Sequence, residues 1–174
     1  MKQRLSDQML HQHFPFPMQA MQSKLKFHNL APGETIKLGN VIIETGSLNQ
    51  FDRAVGYRVT WQGHTAVYAT DTEHVAECLN PSLLHLAHQA DLLIYDAAYT
   101  RQQYCDARFL DVDWGHSTWK AGVEVAKAAG VKRLVMSHHD PDHDDYFLDQ
   151  IEMQVQNAFP NGLLAREGMA IQLC

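Results

Sequence analysis

The stretch GHSTWKAGVEVAKAAGVKRLVMSHHDPDHDD, residues 115–145, predicts the local fold in three consecutive pieces. Ser117 or Thr118 can cap a helix that ends before Gly130, a residue suited to the left-handed position after a helix. The apolar run that follows, VKRLVMSH, is typical of a buried strand. The last nine residues, SHHDPDHDD, contain three histidines and four aspartates at and directly after the end of that strand. This order is typical of an α/β layer that carries a site at its strand ends.

Two β-hairpins are predicted upstream of this region. The segments TIKL and VIIETG indicate a strand on either side of residues 39–40, a Gly-Asn pair suited to a tight turn. The segments VGYRVTW (Val55–Trp61) and HTAVYATD (His64–Asp71) indicate a second pair of strands around residues 62–63. The first half of the chain is therefore predicted to be mainly antiparallel sheet.

Helices and strands alternate after the hairpins. Asn80-Pro81 is typical of a helix cap followed by proline at the first helical position, and SLLHLAHQA completes that helix. The run DLLIYD (Asp91–Asp96) predicts a buried strand. After the histidine cluster, Asp144 or Asp145 can cap a helix. That helix places four apolar residues on one face, namely Leu148, Ile151, Val155 and Phe159.

The closing segment LLAREGMAIQL predicts a terminal hairpin around Glu167-Gly168. The whole order, about eight strands and three helices, predicts an α/β (layered α+β) fold with a mixed sheet and helices on one face. A length of 174 residues suits one domain, so we expect residues 1–174 to form a single domain. Residues 1–24 are polar, lack a clean period, and are predicted to be an arm that packs on something else.

The composition excludes some functions. A net charge of −6 argues against non-specific binding to a nucleic-acid backbone, which needs a basic face, although a local basic patch stays open. Three cysteines without CxxC spacing indicate reduced thiols. Neither a signal-type run nor a membrane-spanning run is present in the sequence, so we expect a cytoplasmic protein with no membrane partner.

Acidic and histidine side chains follow the ends of the predicted strands. Asp71 ends TAVYATD, Asp96 ends LLIYD and His138 ends RLVMSH, while His116 lies directly before a helix. Because the carboxyl ends of neighbouring strands meet in one crevice, we expect these four side chains to converge. Carboxylates and imidazoles together suit zinc, manganese or iron(II). Each residue also has an ordinary structural reading, as a turn former or as part of a helix cap.

The remaining histidines leave alternatives open. The cluster of residues 138–143 could bind a single metal, respond to pH, or form a solvated loop in which Asp144 caps the next helix. The HQH pair at residues 11–13 has no strand pattern around it. His85 and His88, three apart on a predicted helix, are more typical of a helix surface than of a metal site.

The runs VYATDTEH, DLLIYDAAYT and GHSTWKAGVEVAKAAGVKRLVMSHHDPDHDD resemble the C-terminal half of metallo-β-lactamase-fold hydrolases. The similarity is to the branch with ribonuclease Z-like and phosphodiesterase-like enzymes, and it extends from about residue 8 to residue 172. This resemblance implies half of an αββα sandwich. It also implies a metal-dependent hydrolase that acts on phosphodiester bonds and uses two metal ions, zinc or manganese.

The resemblance assigns roles to the four converging residues. Asp71 would be the carboxylate that bridges two metals, and His138 would be a ligand to one of them. His116 would donate a proton near the leaving group, and Asp96 would orient His116. The substrate implied is RNA or a small phosphodiester.

Two departures from the family pattern concern metal ligands. The family carries an HxHxDH motif in its N-terminal half, and this sequence contains no such motif. The segment GSLNQ matches a place where relatives have histidine after asparagine, and this chain has Gln50. Asp71 and His138 are then the remaining ligand candidates, whereas a zinc site normally takes three or four protein ligands.

A half-sandwich would leave one face of its sheet uncovered. The residues predicted on that face are Val41, Ile43, Val67, Tyr57 and Val59. A soluble protein rarely exposes so large an apolar patch, so a second copy of the chain, a separate N-terminal half or the N-terminal arm must cover it. Of these we expect a homo-oligomer, in the form of a symmetric dimer. The alternative to a hydrolase is a non-catalytic truncated relative that acts as an oligomeric or partner-binding module.

Overall fold

The structure is a computed structural model, and it divides into two compact units, residues 1–31 and residues 32–174. In the first unit only residues 26–31 are described, so the predicted arm of residues 1–24 lies outside the described part. The described residues are 26–49, 54–73, 78–100, 102–105 and 115–173.

Seven strands form one mixed sheet in the order of the sequence. The first four are antiparallel, and the last four, β4 to β7, are parallel. The mixed sheet predicted from the sequence is therefore confirmed. The strands are β1 (Thr35–Leu38), β2 (Val41–Ser47), β3 (Val55–Trp61), β4 (His64–Ala69), β5 (Leu92–Asp96), β6 (Leu134–Ser137) and β7 (Gly162–Leu164).

Besides a helical turn at residues 102–105, three helices in the described ranges connect the parallel strands: α1 (Pro81–Ala87), α2 (Trp119–Ala129) and α3 (Asp145–Ala158). Each joins two strands that are neighbours in the sheet, and the sheet grows in one direction. Right-handed crossovers then place all three helices on the same face, as predicted. None of the helices in the described ranges has the length and apolar character needed to cross a bilayer.

The helix ends follow the signals in the sequence. The Asn80 side chain accepts hydrogen bonds from the amides of Ser82 and Leu83 at 2.9 and 3.2 Å, which caps α1. Gly130 ends α2 with φ of 67°, a left-handed conformation that glycine adopts without strain. Asp144 caps α3 by accepting from the Phe147 amide at 2.8 Å. These caps fix where each βα loop stops, and so where the loop side chains lie.

The core lies between the helices and one face of the sheet. Alternate residues of the parallel strands point to this side and are almost fully buried. They are Val67, Leu93, Tyr95, Leu134 and Met136. The predicted apolar face of α3 packs against this core, with Val155 fully buried.

The predicted terminal hairpin is wrong. β7 is a single strand parallel to β6, and no second strand follows it in residues 165–173. The Ala165 amide continues the pairing by donating to the Met136 carbonyl at 2.7 Å. On the outer edge, the Leu164 amide donates to Glu152 of α3 at 2.9 Å. Because α3 satisfies that edge, β7 needs no hairpin partner.

The face of the sheet away from the helices is apolar, as expected, but one predicted member is misplaced. Val59 pairs with Ala66 and Tyr57 pairs with Tyr68, so these side chains share the face opposite to Val67. Val67 is 0% exposed and belongs to the helix-side core. On the other face Tyr57 and Tyr68 are 40% and 49% exposed.

The first prediction concerns the close contact between α2 and the sheet. A Cβ at Gly122 would lie 2.6 Å from Tyr95 Cδ1 and 2.9 Å from Met136 Cε. Gly122→Ala should therefore destabilise the fold by about 1–3 kcal/mol through overpacking. It should do so although alanine is about 1 kcal/mol better than glycine in a helix.

Urea unfolding measures this effect. The control is Ala128→Gly on the exposed side of α2, which should cost about 1 kcal/mol through helix propensity alone. A Gly122→Ala variant as stable as the wild type would contradict the close-packing argument.

The second prediction concerns Asp91, at the start of β5 and the end of the sheet away from the strand carboxyl ends. Its carboxylate accepts from Lys132 Nζ at 2.6 Å and from the Thr65 amide at 2.7 Å. These hydrogen bonds, first that from Lys132, lower the pKa of Asp91. The ionised form therefore stabilises the fold above about pH 4, and this contribution is lost as the pH falls through the lowered pKa.

Asp91→Asn should lower the free energy of unfolding by about 1 kcal/mol at pH 7. The difference from the wild type should shrink below about pH 4. Asp142→Asn, at an exposed aspartate, should show neither effect. Urea titrations at several pH values check this, and a difference that stays constant with pH would refute it.

Candidate functional site

Four side chains from separate parts of the chain meet at the carboxyl rim of the parallel strands. They are Asp71, Asp96, His116 and His138, and each offers one ligand-type atom within 4.8 Å of the others. Asp71 follows β4, Asp96 ends β5, His138 follows β6, and His116 precedes α2. The parallel pairing of β4, β5 and β6 brings these ends to one edge, which is the crevice expected from the sequence.

Asp96 is the centre of this group. It is 0% exposed, and both of its carboxylate oxygens accept hydrogen bonds from the protein. Oδ1 accepts from the amides of Ala98 and Ser117 at 3.2 and 3.3 Å. Oδ2 accepts from the Asp71 amide at 2.9 Å. Asp96 is therefore arranged to position its neighbours, with little capacity left for a metal ion.

His116 is held by the same carboxylate. Its Nδ1 lies 3.0 Å from Asp96 Oδ2, and because an ionised carboxylate only accepts, the ring carries a proton on Nδ1. Nε2 is then the nitrogen that can give or take a proton at a ligand. The ring also makes edge contacts with His138 and Tyr99, at centroid distances of 4.5 and 5.9 Å. These contacts restrict the orientation of the imidazole.

Asp71 and His138 form the open side of the site. His138 Nδ1 lies 3.4 Å from Asp71 Oδ1 and 3.4 Å from Asp96 Oδ2. The side chains of His138 and Asp71 are 41% and 62% exposed, in contrast to the buried Asp96. One imidazole and one carboxylate facing a common point fit two ligands of a divalent cation such as zinc or manganese.

The backbone at both of these residues is unusual. Asp71 has φ of 58° and His138 has φ of 61°, in the left-handed region that non-glycine residues rarely adopt. Such conformations cost about 1 kcal/mol or more each and persist where surrounding contacts hold them. At Asp71 that contact is the hydrogen bond from its amide to Asp96. The turn after β4 is thus held in the shape that directs Asp71 to the rim.

The histidine cluster after β6 does not act as one unit. His139 Nε2 lies 3.3 Å from the Ala165 carbonyl, and burial lowers the pKa of this imidazole. His143 Nε2 lies 2.9 Å from Gln103 Nε2, and Asp144 caps α3. In the part of the chain that the structure describes, the group around Asp71 is the only one of its kind able to hold a metal. A single metal held by the cluster alone is therefore not supported.

Other histidine candidates lie elsewhere. His85 and His88 are at the C-terminal end of α1, away from the rim. The HQH pair of residues 11–13 and Gln50 lie outside the described residues.

Sequence reasoning missed two residues that support the site. Tyr95 is buried and its hydroxyl lies 2.9 Å from Ser117 Oγ, while the Ser117 amide donates to Asp96. Burial raises the pKa of the Tyr95 phenol, so it stays neutral as a hydrogen-bond partner. The sequence signals only a capping serine and a buried strand at these positions, and neither signal reveals the contact.

Comparison with known proteins identifies the family of this chain. A family model described as a beta-lactamase superfamily domain matches residues 4–139. Ribonuclease Z from Synechocystis is 34% identical over 114 residues, 64% of this chain and 32% of that protein. The first ribonuclease Z relatives are matched over 26–46% of their length, so the chain spans less than half of each.

Solved structures show the same fold. The metallo-beta-lactamase fold protein YhfI from Bacillus subtilis superposes with a TM-score of 0.61 at 20% identity, over 80% of this chain and 53% of that one. Zinc-bound PqqB from Methylobacterium extorquens gives a TM-score of 0.59 at 16% identity, over 83% and 55%. Because the family match spans more than half of the sequence, this chain belongs to the beta-lactamase superfamily, and its sheet is that of the metallo-β-lactamase fold.

Proposed function

We propose that this chain forms one side of a metal-dependent phosphodiesterase centre that acts on RNA or on a smaller phosphodiester. The observation that carries the proposal is the pairing of two open ligands, Asp71 and His138, with an imidazole fixed by a buried carboxylate. The ribonuclease Z relatives support a phosphodiester substrate.

The negative charge of the site indicates that a cation would have to bind there before a phosphodiester could. Asp71 and Asp96 place two carboxylates within 4.8 Å of one another beside the two histidines. Their negative charge would repel a phosphodiester unless cations lie between them and the substrate. Asp71 and His138 would hold such ions, zinc or manganese. When bound, these ions polarise the phosphate and acidify water.

His116 would deliver the proton to the leaving oxygen. Asp96 fixes its Nδ1 at 3.0 Å, so Nε2 is presented in one orientation from which it can give a proton. Tyr95 and Ser117 hold the turn that carries His116. Proton transfer by a positioned side chain is worth about 10²–10⁴ in rate.

The ligand set of this chain is incomplete. Asp71 and His138 supply two ligands, while a catalytic zinc site normally takes about three protein ligands. A second copy of the chain would not supply the HxHxDH motif, because these 174 residues lack it. Of the two partners expected from the sequence, a separate polypeptide segment that carries this motif therefore completes the centre better than a homo-oligomer.

The third prediction tests the metal ligands. In the protein isolated with whatever partner accompanies it, His138→Ala and Asp71→Asn should each abolish bound metal and hydrolysis of bis(p-nitrophenyl) phosphate. His116→Ala should keep its metal, because its Nδ1 is engaged with Asp96. Metal analysis and a colorimetric assay with added manganese or zinc measure both properties.

The control is His85→Ala on α1, which should change neither metal content nor turnover. Hydrolysis that survives His138→Ala would overturn the proposed ligand. A wild-type protein with neither metal nor turnover would instead favour the non-catalytic, partner-binding module.

The fourth prediction tests the role of His116. A p-nitrophenolate leaves readily as an anion, whereas the ribose oxygen of RNA needs a proton. His116→Ala should therefore reduce turnover of a short RNA by about 10²–10⁴ and reduce turnover of bis(p-nitrophenyl) phosphate much less. Equal losses on both substrates would mean that His116 only supports the structure.

A further inference from the structure

A cavity of about 200 Å³ opens at the same rim as the four converging residues. It lies between the start of α1, the end of β2 and the middle of α2, on the helix side of the sheet. Thr72 and Glu73, which follow Asp71 directly, form part of its wall, and so does Tyr95, which precedes Asp96. The cavity therefore adjoins the proposed phosphodiesterase centre through two segments of chain.

The walls of the cavity are mostly apolar. Leu48, Leu79, Leu83 and Val125 supply aliphatic surface, and Tyr95, 1% exposed, is the aromatic residue among the described lining. Leu48 and Leu83 are 0% and 1% exposed, so these walls belong to the rigid core. Apolar walls beside one aromatic ring favour a flat group of low polarity.

The charge of the described lining residues disfavours an anion. None of the described residues that line the cavity is basic, and Glu73 contributes a carboxylate. A phosphate would meet no compensating cation here and would lose its hydration. The cavity is thus unsuited to the scissile phosphate and suited to an uncharged group attached to it.

The size of the cavity limits which chemical groups can bind there. Sites for drug-sized ligands usually have volumes of about 300–1,000 Å³, so about 200 Å³ suits a smaller group such as one planar ring system. In a phosphodiester of nucleic-acid type, the planar uncharged group is the nucleobase, which the sugar joins to the phosphate.

We propose that this cavity binds the nucleobase of the nucleotide beside the scissile phosphate. This inference rests on the proposed function, because it takes the substrate to be a nucleotide phosphodiester. Asp71 would then hold metal at one end of the segment Asp71–Glu73, while Thr72 and Glu73 line the base site. One loop would set the distance between the reacting phosphate and the base.

Cys78 provides a direct probe of occupancy. It lines the cavity and its side chain is exposed, so a thiol reagent can reach it. In a Cys105→Ser, Cys174→Ser background it is the only thiol of the three. A nucleobase in the cavity should shield this thiol from alkylation.

The fifth prediction is that adenosine or uridine slows the alkylation of Cys78 by iodoacetamide. At ten times its Kd, a ligand that fully shields the thiol slows the reaction about tenfold. Inorganic phosphate and free ribose should leave the rate unchanged. Mass spectrometry of the labelled protein follows the reaction, and neither metal nor turnover is required.

A second variant keeps the test independent of labelling. Cys78→Trp should fill the mouth of the cavity and abolish adenosine binding in equilibrium dialysis, while Cys78→Ser keeps it. Circular dichroism checks that both variants fold. Protection by phosphate without protection by nucleosides, or equal adenosine binding to the Cys78→Trp variant, would overturn the base site.

Measuring both nucleoside protection and hydrolysis distinguishes failure of the base site from failure of the phosphodiesterase proposal. Hydrolysis of phosphodiesters without any nucleoside protection would refute the base site and leave the phosphodiesterase standing. Nucleoside protection in a protein that never hydrolyses a phosphodiester would support the base site and refute the catalytic proposal.

Discussion

The site depends on one buried carboxylate. Asp96 is removed from solvent, and an ionised carboxylate in that position is stable only when donors surround it. The donors are two amides on Oδ1, and the Asp71 amide and the His116 ring on Oδ2. The donors lie in three segments, namely the turn after β4, the residues after β5 and the turn before α2, so satisfying one charge fixes these segments relative to one another. Loss of a buried charged partner typically costs about 3–5 kcal/mol, which makes this arrangement hard to rearrange.

The sheet supplies the frame that makes this convergence geometrically possible. Strands β4, β5 and β6 are parallel neighbours, and their carboxyl ends therefore lie at one edge. The helices between them all cover the same face, and caps such as Asn80 and Asp144 end the connecting loops at defined positions. The other face carries exposed aromatic residues, among them Trp61 at 51% exposure. The helix-side face is therefore the buried one, and it is this face that the helices next to the site cover.

Much of the fold and of the candidate site could be predicted from the sequence, and the predictions that were wrong have physical causes. Caps, tight turns and apolar runs are local signals, and they predicted the helices, the hairpins and the four rim residues. The terminal hairpin failed because Glu152 of α3 satisfies the outer edge of β7, a contact twelve residues distant that no local pattern encodes. Val67 was assigned to the wrong face because the face of a strand depends on its register with β3 and β5. The contact between Tyr95 and Ser117 requires the packing of α2 against β5, which Gly122 permits.

The division between buried and exposed groups indicates how the two sides of a complete centre would share their tasks. Asp96 and Ser117 are buried, and the hydrogen bonds of Asp96 are made within this chain. Asp71 and His138 are exposed and supply too few ligands to close a zinc site. In the proposed centre, His116 would thus be oriented by this chain alone, whereas a bound metal would need further ligands from elsewhere. A partner that brings those ligands would meet His138 and Asp71 already directed to the rim by their left-handed backbone, so little conformational freedom would be lost on assembly.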